Sequence, residues 1–398
     1  MRWGCRDNMA APTRKRGKKV KAEAAEAAPA KAAPAPANEL AAVLADIRKN
    51  KGENSVLPAS QIPIANHIPT GSFILDFALL GGIPEGFPTM IYGLESSGKT
   101  TILKKVVGCF QRKHPDKQVV WIDSEGMFDP QWATQLGVDL DRLLVHRPET
   151  GQEAVDVMEA MMGAWETGMV VLDSIPGCVP FNIIQKSAED MTMTELARLM
   201  GVMCSKLTAS YQAERKRGHF VTNLFVNQFR FKVGGLVLGD PRTLPGGRQI
   251  NHIPTTKIEI KNKEEHGKDR YDNDVVEHNA HEFKITKAKH GSSIRSGEFR
   301  MMINPDNADG VPQGTIDDAD TVCVYAKKMG MLTGGGAAWR VDGIDRKFGN
   351  IASIVTHLRE TPEEYVRLCQ QVIAAQRQSK GLPLLPPDGY LLDWAEAS

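Results

Sequence analysis

The sequence predicts an α/β fold built on a mostly parallel central sheet. From about residue 69, short apolar segments of strand length alternate with segments of helical periodicity, the order that produces parallel sheets. One of these strands leads through a glycine-rich loop into a helix, and two others end in acidic residues. Because ligands bind at the carboxyl ends of strands in such sheets, these features predict a binding site at one edge.

The glycine-rich loop carries the clearest chemical signal. Residues 93–101 read Gly-Leu-Glu-Ser-Ser-Gly-Lys-Thr-Thr, which fits the phosphate-binding pattern G-x-x-x-x-G-K-[ST]. The glycines let backbone N–H groups surround an anion, Lys99 brings charge to the outer phosphates, and Thr100 offers a hydroxyl to Mg²⁺. A chance glycine–serine turn is the alternative, but the flanking strand and helix favour ATP with Mg²⁺. The expected nucleotide contacts are Gly93, Leu94, Glu95, Ser96, Ser97, Gly98, Lys99, Thr100 and Thr101.

Composition narrows the class of protein. The chain has 398 residues with a net charge of +1, and 41% of its residues are hydrophobic, so any nucleic-acid affinity must come from a local patch. The six cysteines are scattered, which argues against a zinc site or a disulfide framework. No apolar run is long enough to span a membrane, and the N-terminus does not read as a secretory signal, so we expect a cytoplasmic protein.

Two segments precede the core. Residues 1–37 form a basic, Ala/Pro-rich tail with few large apolar side chains, so we expect it to be disordered, either as an arm for nucleic acid or acidic partners or as a solvated tail. Residues 38–68 contain a linker and a helix capped by Asn38. The apolar stripe of this helix consists of Leu40, Val43, Leu44 and Ile47. The stripe could fold back on its own core or dock on a neighbouring subunit.

The first half of the core places an acidic residue at a strand end. Val119–Asp123 reads as a buried strand, Gln152–Trp165 as a helix, and Met169–Ser174 as an apolar strand that ends in Asp173. With a phosphate loop upstream, a carboxylate at this position is placed to hold Mg²⁺ through a water. A helix cap is the alternative role for Asp173.

The second half of the core contains a basic loop. Thr194–Gln212 reads as a helix, Leu224–Gln228 as a buried strand, and residues 230–248 as a long glycine-rich connection. Loops of this length in compact domains are usually functional or disordered. The loop carries Arg230, Lys232, Arg242 and Arg248. It is therefore either a surface that approaches a phosphate backbone or a flexible surface excursion.

The core is expected to end with a hairpin near residue 304. Thr256–Ile260 and His281–Lys287 alternate as antiparallel strands, and the charged segment Lys261–Asp274 reads as an exposed hairpin tip. We place the ATPase core at residues 69–304.

Residues 305–398 are expected to form a small C-terminal α/β domain. They contain a glycine-rich turn at Met329–Gly336, a largely helical segment at Ile351–Gln376 and an acidic, proline-broken end.

Several motifs together resemble the RecA-type recombinases of bacteria and their phages. Besides the phosphate loop, they are Ile68–Ser72, Ile122–Glu125 with Asp129-Pro130, Leu136–Asp139, Pro148–Gly151, Asp173-Ser174, Asn227-Gln228-x-Arg230 and Gly246-Gly247. The resemblance covers roughly residues 38–345. It implies a RecA-like ATPase core with an N-terminal helix that docks on the adjacent protomer.

The resemblance implies roles for individual residues of the nucleotide site. Glu125 would activate the attacking water, and Gln228 would sense the γ-phosphate. Lys287 and Lys289 would complete the site of the neighbouring protomer, in the manner of an arginine finger; a solvated basic strand edge is the alternative. Around the adenine, the resemblance implies Asp129, Trp132 and, in place of a common tyrosine, Ile303.

The resemblance also implies DNA binding by two loops, at about 176–193 and 229–248. The tip of the second loop is aliphatic, with Val237-Leu238 where the family usually has Met-Phe. The candidate DNA-binding residues are Arg198, Lys206, Arg230, Lys232, Val237, Leu238, Arg242, Gly246, Gly247 and Arg248.

The implied function is ATP-dependent homologous pairing and strand exchange by a helical filament on single-stranded DNA. Its expected partners are single- and double-stranded DNA, further copies of the chain, and single-strand-binding and loader proteins. Two alternatives stay open at this point. One is a ring-forming helicase on the same core, and the other is an accessory DNA-binding protein that uses ATP only as a switch.

Overall fold

A computed structural model describes residues 39–62, 65–185, 194–231, 240–268, 274–305 and 311–385. The chain divides into two compact units, Met1–Val56 and Leu57–Ser398. The expected disorder of residues 1–37 and the expected cap at Asn38 lie outside the described residues.

The first unit contains the predicted N-terminal helix, α1 (Glu39–Lys51). No residue of this helix is buried, and the side chains of Leu40 and Val43 are 70% and 54% exposed. Leu40 and Val43 of the predicted apolar stripe are therefore exposed, and Leu44 and Ile47 are half-buried.

The second unit contains an eight-stranded sheet with the strand order β12-β11-β10-β3-β7-β6-β4-β5. Six neighbouring strands, from β10 to β5, run parallel, whereas β11 pairs antiparallel with both β10 and β12. The mostly parallel α/β fold predicted from the sequence is confirmed. The strands are β1 (His67–Ile68), β2 (Ile83–Pro84), β3 (Thr89–Gly93), β4 (Gln118–Asp123), β5 (Leu143–His146), β6 (Thr167–Asp173), β7 (Thr222–Gln228), β8 (Arg230–Phe231), β9 (Arg242–Thr243), β10 (Thr256–Lys268), β11 (Asp274–Ala288), β12 (Ser296–Met302), β13 (Leu332–Gly335), β14 (Ala338–Val341) and β15 (Lys347–Phe348).

Helices cover both faces of the sheet, because its central strands are apolar on both sides. On one face α3 packs with α2 and the three C-terminal helices, and on the other α5 packs with α7. The helices are α2 (Phe73–Ala78), α3 (Lys99–Lys113), α4 (Pro130–Gln135), α5 (Gly151–Met162), α6 (Phe181–Ile184), α7 (Thr194–Lys216), α8 (Gly247–His252), α9 (Ala319–Lys328), α10 (Ile351–Glu360) and α11 (Pro362–Ser379). The domain boundary at 304/305 stays a prediction.

Two sequence expectations need correction. The charged segment Lys261–Asp274 is not only a hairpin tip, because β10 continues to Lys268 and β11 begins at Asp274. Cross-strand partners extend the ladder, and Glu265 pairs with His278 while its carboxylate lies 3.2 Å from the Arg300 guanidinium. Similarly, the segment Met329–Gly336 contains strand β13, since its glycines adopt backbone conformations that let it pair with β14.

Candidate functional site

The phosphate loop joins β3 to α3 in a conformation that requires its glycines. Gly98 has φ +83°, and a Cβ atom built on it would lie 2.4 Å from His281 Cε1. A Cβ on Gly93 would lie 2.2 Å from the Ile260 carbonyl oxygen. Since α3 begins at Lys99, the first backbone N–H groups of the helix are available to an anion at the loop.

The Lys99 side chain folds back onto its own loop. Its ammonium donates to the Leu94 carbonyl and to Ser97 Oγ, the latter at 3.3 Å. Burial lowers the pKa of Lys99, and the nearby carboxylates of Asp173 and Glu125 oppose this effect. A buried ammonium beside neutral acceptors of its own loop fits the phosphates of a nucleotide, which would replace these partners.

Asp173, at the end of β6, faces the start of α3. The Thr100 hydroxyl donates to Asp173 Oδ2 at 2.9 Å. Burial, helped by the carboxylates of Glu125 and Asp123, raises the pKa of Asp173 to about 6, against the Thr100 hydrogen bond and the Lys99 charge. A hydroxyl beside a carboxylate with an elevated pKa suits Mg²⁺, because a cation would restore the ionised form. The assignment of Thr100 and Asp173 to the metal stays a prediction.

Glu125 lies just past the end of β4 and is held by two donors. Ser174 Oγ donates to Glu125 Oε1, and Gln228 Nε2 donates to the same oxygen at 3.2 Å. The two predicted residues Glu125 and Gln228 therefore meet directly. Sequence reasoning assigned no role to Ser174, although its position after the acidic end of an apolar strand was the available signal.

Lys99, Thr100, Glu125 and Gln228 line a cavity of about 370 Å³. The predicted residues Trp132 and Ile303 lie in its wall, whereas Asp129 caps α4 by accepting from the backbone N–H groups of Gln131 and Trp132. The lining consists of Glu95, Ser96, Ser97, Gly98, Lys99, Thr100, Thr101, Glu125, Trp132, Gln228, Asn279, His281, Met301 and Ile303. Whether Asp129 contacts the base stays a prediction.

Asn279 and His281 were missed by sequence reasoning. They stand two residues apart on β11, so both side chains point to the same face of the strand. His281 is 1% exposed, and Asn279 Oδ1 makes no hydrogen bond within the part of the chain that the structure describes. Burial lowers the pKa of His281 to about 4, which the Ser97 backbone opposes. A neutral imidazole therefore packs against the loop at neutral pH.

Sequence comparison adds to this geometry. The sequence model of the RecA N-terminal domain matches residues 38–306. The chain belongs to the RecA family. Protein RecA of Clostridium acetobutylicum is 33% identical over 268 residues, which cover 66% of this chain and 73% of that protein. Protein RecA of Paracoccus denitrificans is 35% identical over 270 residues, which cover 66% and 72%, and that of Rickettsia prowazekii is 36% identical over 225 residues, which cover 56% and 64%. The family resemblance is confirmed.

In this RecA-family chain, Lys287 and Lys289 lie at the opposite end of the sheet from the phosphate loop. Ala288 pairs with Thr256, which pairs with Thr89 at the start of β3, whereas the loop follows Gly93. Four residues of strand separate these levels, about 13 Å. Lys287 Nζ donates to the His252 carbonyl at 2.6 Å, and burial together with the Lys289 charge lowers the pKa of Lys287. Lys287 lies in β11 and Lys289 directly follows its last residue, and the role of this pair stays a prediction.

The predicted DNA-binding residues divide into exposed and engaged cations. Arg198, Arg230 and Arg248 are exposed. By contrast, the Arg242 guanidinium lies 2.8 Å from the Asp240 carboxylate and 3.2 Å from that of Glu259. Lys206 Nζ donates at 2.7 Å to two carboxylates of α5, those of Asp156 and Glu159. Gly246 and Gly247 have φ of +91° and +79° before α8, and Lys232, Val237 and Leu238 lie outside the described residues.

None of the helices in the described ranges is both long enough and apolar enough to cross a membrane. Within the same ranges, no cluster of three His, Cys, Asp or Glu side chains is placed to hold a metal ion by itself.

Proposed function

We propose that this chain is an ATP-dependent DNA recombinase that assembles into a helical filament on single-stranded DNA and exchanges homologous strands. The observation that carries this proposal is the direct contact between Glu125 and Gln228 inside the nucleotide cavity. Gln228 is the last residue of β7, and the predicted DNA-binding loop begins one residue later. The Gln228 amide, which would contact the nucleotide, is therefore directly followed by the segment that would bind DNA.

The residues of the cavity have separate tasks in ATP hydrolysis. Lys99 and the loop N–H groups hold the phosphates, and Glu125 accepts a proton from the attacking water. Mg²⁺, when bound by Thr100 and Asp173, neutralises charge on the phosphate oxygens. Gln228 can donate and accept hydrogen bonds, so a γ-phosphate can replace Glu125 as the partner of its amide.

The second part of the proposal is a site shared between protomers. Within one chain, about 13 Å of strand separates Lys287 and Lys289 from the level of the phosphate loop, so the pair lies far from the nucleotide of its own chain. A head-to-tail contact that does not close into a ring would bring the pair to the next protomer's loop and would build a helical filament. The exposed apolar side chains of Leu40 and Val43 on α1 are suitable for that contact.

The third part of the proposal is sequence-tolerant DNA binding. Exposed arginines suit contacts to the phosphate backbone, and neighbouring glycines, which have no side chain, leave room for it. Such contacts contribute affinity but carry no sequence information. Single- and double-stranded DNA are the proposed partners, as strand exchange requires both. Single-strand-binding and loader proteins are further proposed partners, which the filament would meet on the same DNA.

A mixing experiment tests the shared site. Protein with Lys287→Ala and Lys289→Ala keeps its phosphate loop, and protein with Lys99→Ala keeps its lysine pair. Each should be inactive alone, and DNA-dependent ATP hydrolysis should partly return on mixing, because some interfaces then combine an intact loop with intact lysines. Replacement of the exposed lysines Lys327 and Lys328 by alanine is the matched control and should leave hydrolysis unchanged.

The outcome is read together with electron microscopy and a strand-exchange assay. Filaments on single-stranded DNA, with pairing of homologous duplex, would support the whole proposal. Mixed filaments without any return of hydrolysis would remove the lysine pair from the site but keep the recombinase. Closed rings that unwind duplex DNA would replace the proposal by the helicase alternative. ATP hydrolysis that does not depend on DNA, together with no pairing of strands, would support the accessory protein that uses ATP only as a switch.

A further inference from the structure

We propose that Ser174 is a positioning residue for ATP hydrolysis: its hydroxyl orients the carboxylate of Glu125. The proposal rests on the proposed role of Glu125 as the base. Ser174 Oγ donates to Glu125 Oε1, and the Gln228 amide donates to the same oxygen at 3.2 Å. Two donors on one oxygen leave Oε2 as the atom that accepts the proton of the attacking water. A base that is oriented by a third group is a recurrent arrangement in hydrolytic sites.

The backbone of Ser174 is fixed, so its hydroxyl has a defined position. The Ser174 N–H donates to Ser124 Oγ at 2.8 Å, and that same hydroxyl donates to the Ser174 carbonyl at 2.7 Å. Ser124 N–H also donates to the Asp173 carbonyl at 2.9 Å, and Gly177 N–H donates to the Ser174 carbonyl at 3.1 Å. Ser174 itself is fully buried. These contacts tie the ends of β4 and β6 together immediately before Glu125.

The sheet order explains why Ser174 can serve this purpose. Strand β6 lies between β4, which precedes Glu125, and β7, which ends in Gln228. A hydroxyl directly after β6 can therefore hold the carboxylate while the Gln228 amide at the end of β7 exchanges partners. On this view Gln228 is the changeable contact of Glu125, and Ser174 is the permanent one.

The principal test is Ser174→Ala, with hydrolysis and binding measured separately. We expect kcat for DNA-dependent hydrolysis to fall about tenfold, the effect of losing one hydrogen bond to a charged group. The Kd of a fluorescent ADP analogue should stay within about twofold, because Ser174 lies outside the cavity lining. Ser174→Thr keeps a hydroxyl and should restore kcat to within about threefold of the parent value.

A matched control removes a second buried serine–carboxylate hydrogen bond elsewhere in the core. Ser72 Oγ donates to Asp318 Oδ2 at 2.8 Å, and both residues are buried. Ser72→Ala should lower the Tm but leave kcat per folded protein unchanged. This comparison separates loss of a buried hydrogen bond in general from loss of the one at Glu125.

A double-mutant cycle with Glu125→Gln separates this inference from the function it rests on. In single-turnover hydrolysis, Ser174→Ala should change the residual rate of the Glu125→Gln protein by less than about twofold, because its target is already lost. An unchanged kcat in Ser174→Ala, or a parallel loss of kcat and ADP affinity, would overturn the positioning role. Full turnover by Glu125→Gln alone would instead overturn the assignment of the base.

Discussion

The buried carboxyl group of Asp318 should make the stability of the chain fall as the pH rises. Asp318 lies at the start of α9 and is 1% exposed, and its Oδ2 accepts from Ser72 Oγ at 2.8 Å and from the Ile74 N–H at 3.2 Å. Burial raises the pKa of Asp318 from 3.8 to about 7, although both hydrogen bonds oppose the shift. Asp318→Asn keeps an acceptor for both donors and removes the titration.

The sign follows from proton uptake on folding. Above pH 3.8 the unfolded chain releases the Asp318 proton, whereas the folded chain keeps it until about pH 7. The free energy of unfolding therefore falls as the pH rises through this window. Between pH 5 and pH 8 the linkage relation gives a loss of about 2–3 kcal/mol for these two pKa values. At about 1.5 °C per kcal/mol for a unit of this size, the parent should lose about 4 °C of Tm relative to Asp318→Asn.

The assay is thermal unfolding of both proteins, followed by circular dichroism at pH 5 and pH 8. Only the difference between parent and variant is interpreted, because other groups titrate in the same range and cancel in the comparison. Asp320→Asn, in the first turn of the same helix with a side chain that is 76% exposed, is the matched control. A parent–variant difference that is the same at both pH values would refute the reasoning about Asp318.

Two further predictions concern the nucleotide and DNA sites. Gly98→Ala should weaken ADP binding at least about tenfold in a fluorescence titration. The left-handed backbone conformation alone costs about 1–2 kcal/mol for alanine, and the new Cβ would clash with the His281 ring. Unchanged affinity would show that the loop rearranges. Arg248→Ala should reduce the salt dependence of single-stranded DNA binding by about 0.7 in log–log slope. Lys206→Ala should reduce it less, because two carboxylates already hold that ammonium; fluorescence anisotropy showing the reverse order would contradict this assignment.

The sequence was most informative where structure is local. The phosphate loop and the strands that end at Asp123 and Asp173 each follow from a short pattern. In the sheet the two acidic strands β4 and β6 are neighbours, and β7 separates β6 from β3, which leads into the loop. The same holds for β10 and β11, whose alternation predicted an antiparallel pair. Their extension through the charged segment was not predicted, because charged side chains on a solvated ribbon carry little periodic signal.

Contacts between distant segments could not be read from the sequence. His281 reaches Gly98 only because β10 lies between β11 and β3 in the sheet, and the local pattern contains no information on strand order. The hydrogen bond from Ser72 to Asp318 joins residues 246 positions apart. For the same reason, the charges of residues 230–248 did not reveal that Arg242 already has two carboxylate partners.

Residues 229–248 make different contacts at their two ends, through Phe229 and through Arg242. At the start, Phe229 N–H donates to the Gly93 carbonyl at 3.0 Å, and the Phe229 ring meets Tyr92 edge to face at 5.4 Å. At the end, the Arg242 guanidinium stacks 4.6 Å from the centre of the same Phe229 ring and pairs with Glu259 of β10. Phe229, the residue after Gln228, thus contacts both the strand that leads into the phosphate loop and Arg242 near the far end of residues 229–248. We propose that the Phe229 ring couples Gln228 to both ends of residues 229–248, because a change of partner at the Gln228 amide would act on the adjacent Phe229, on whose ring the Arg242 guanidinium stacks.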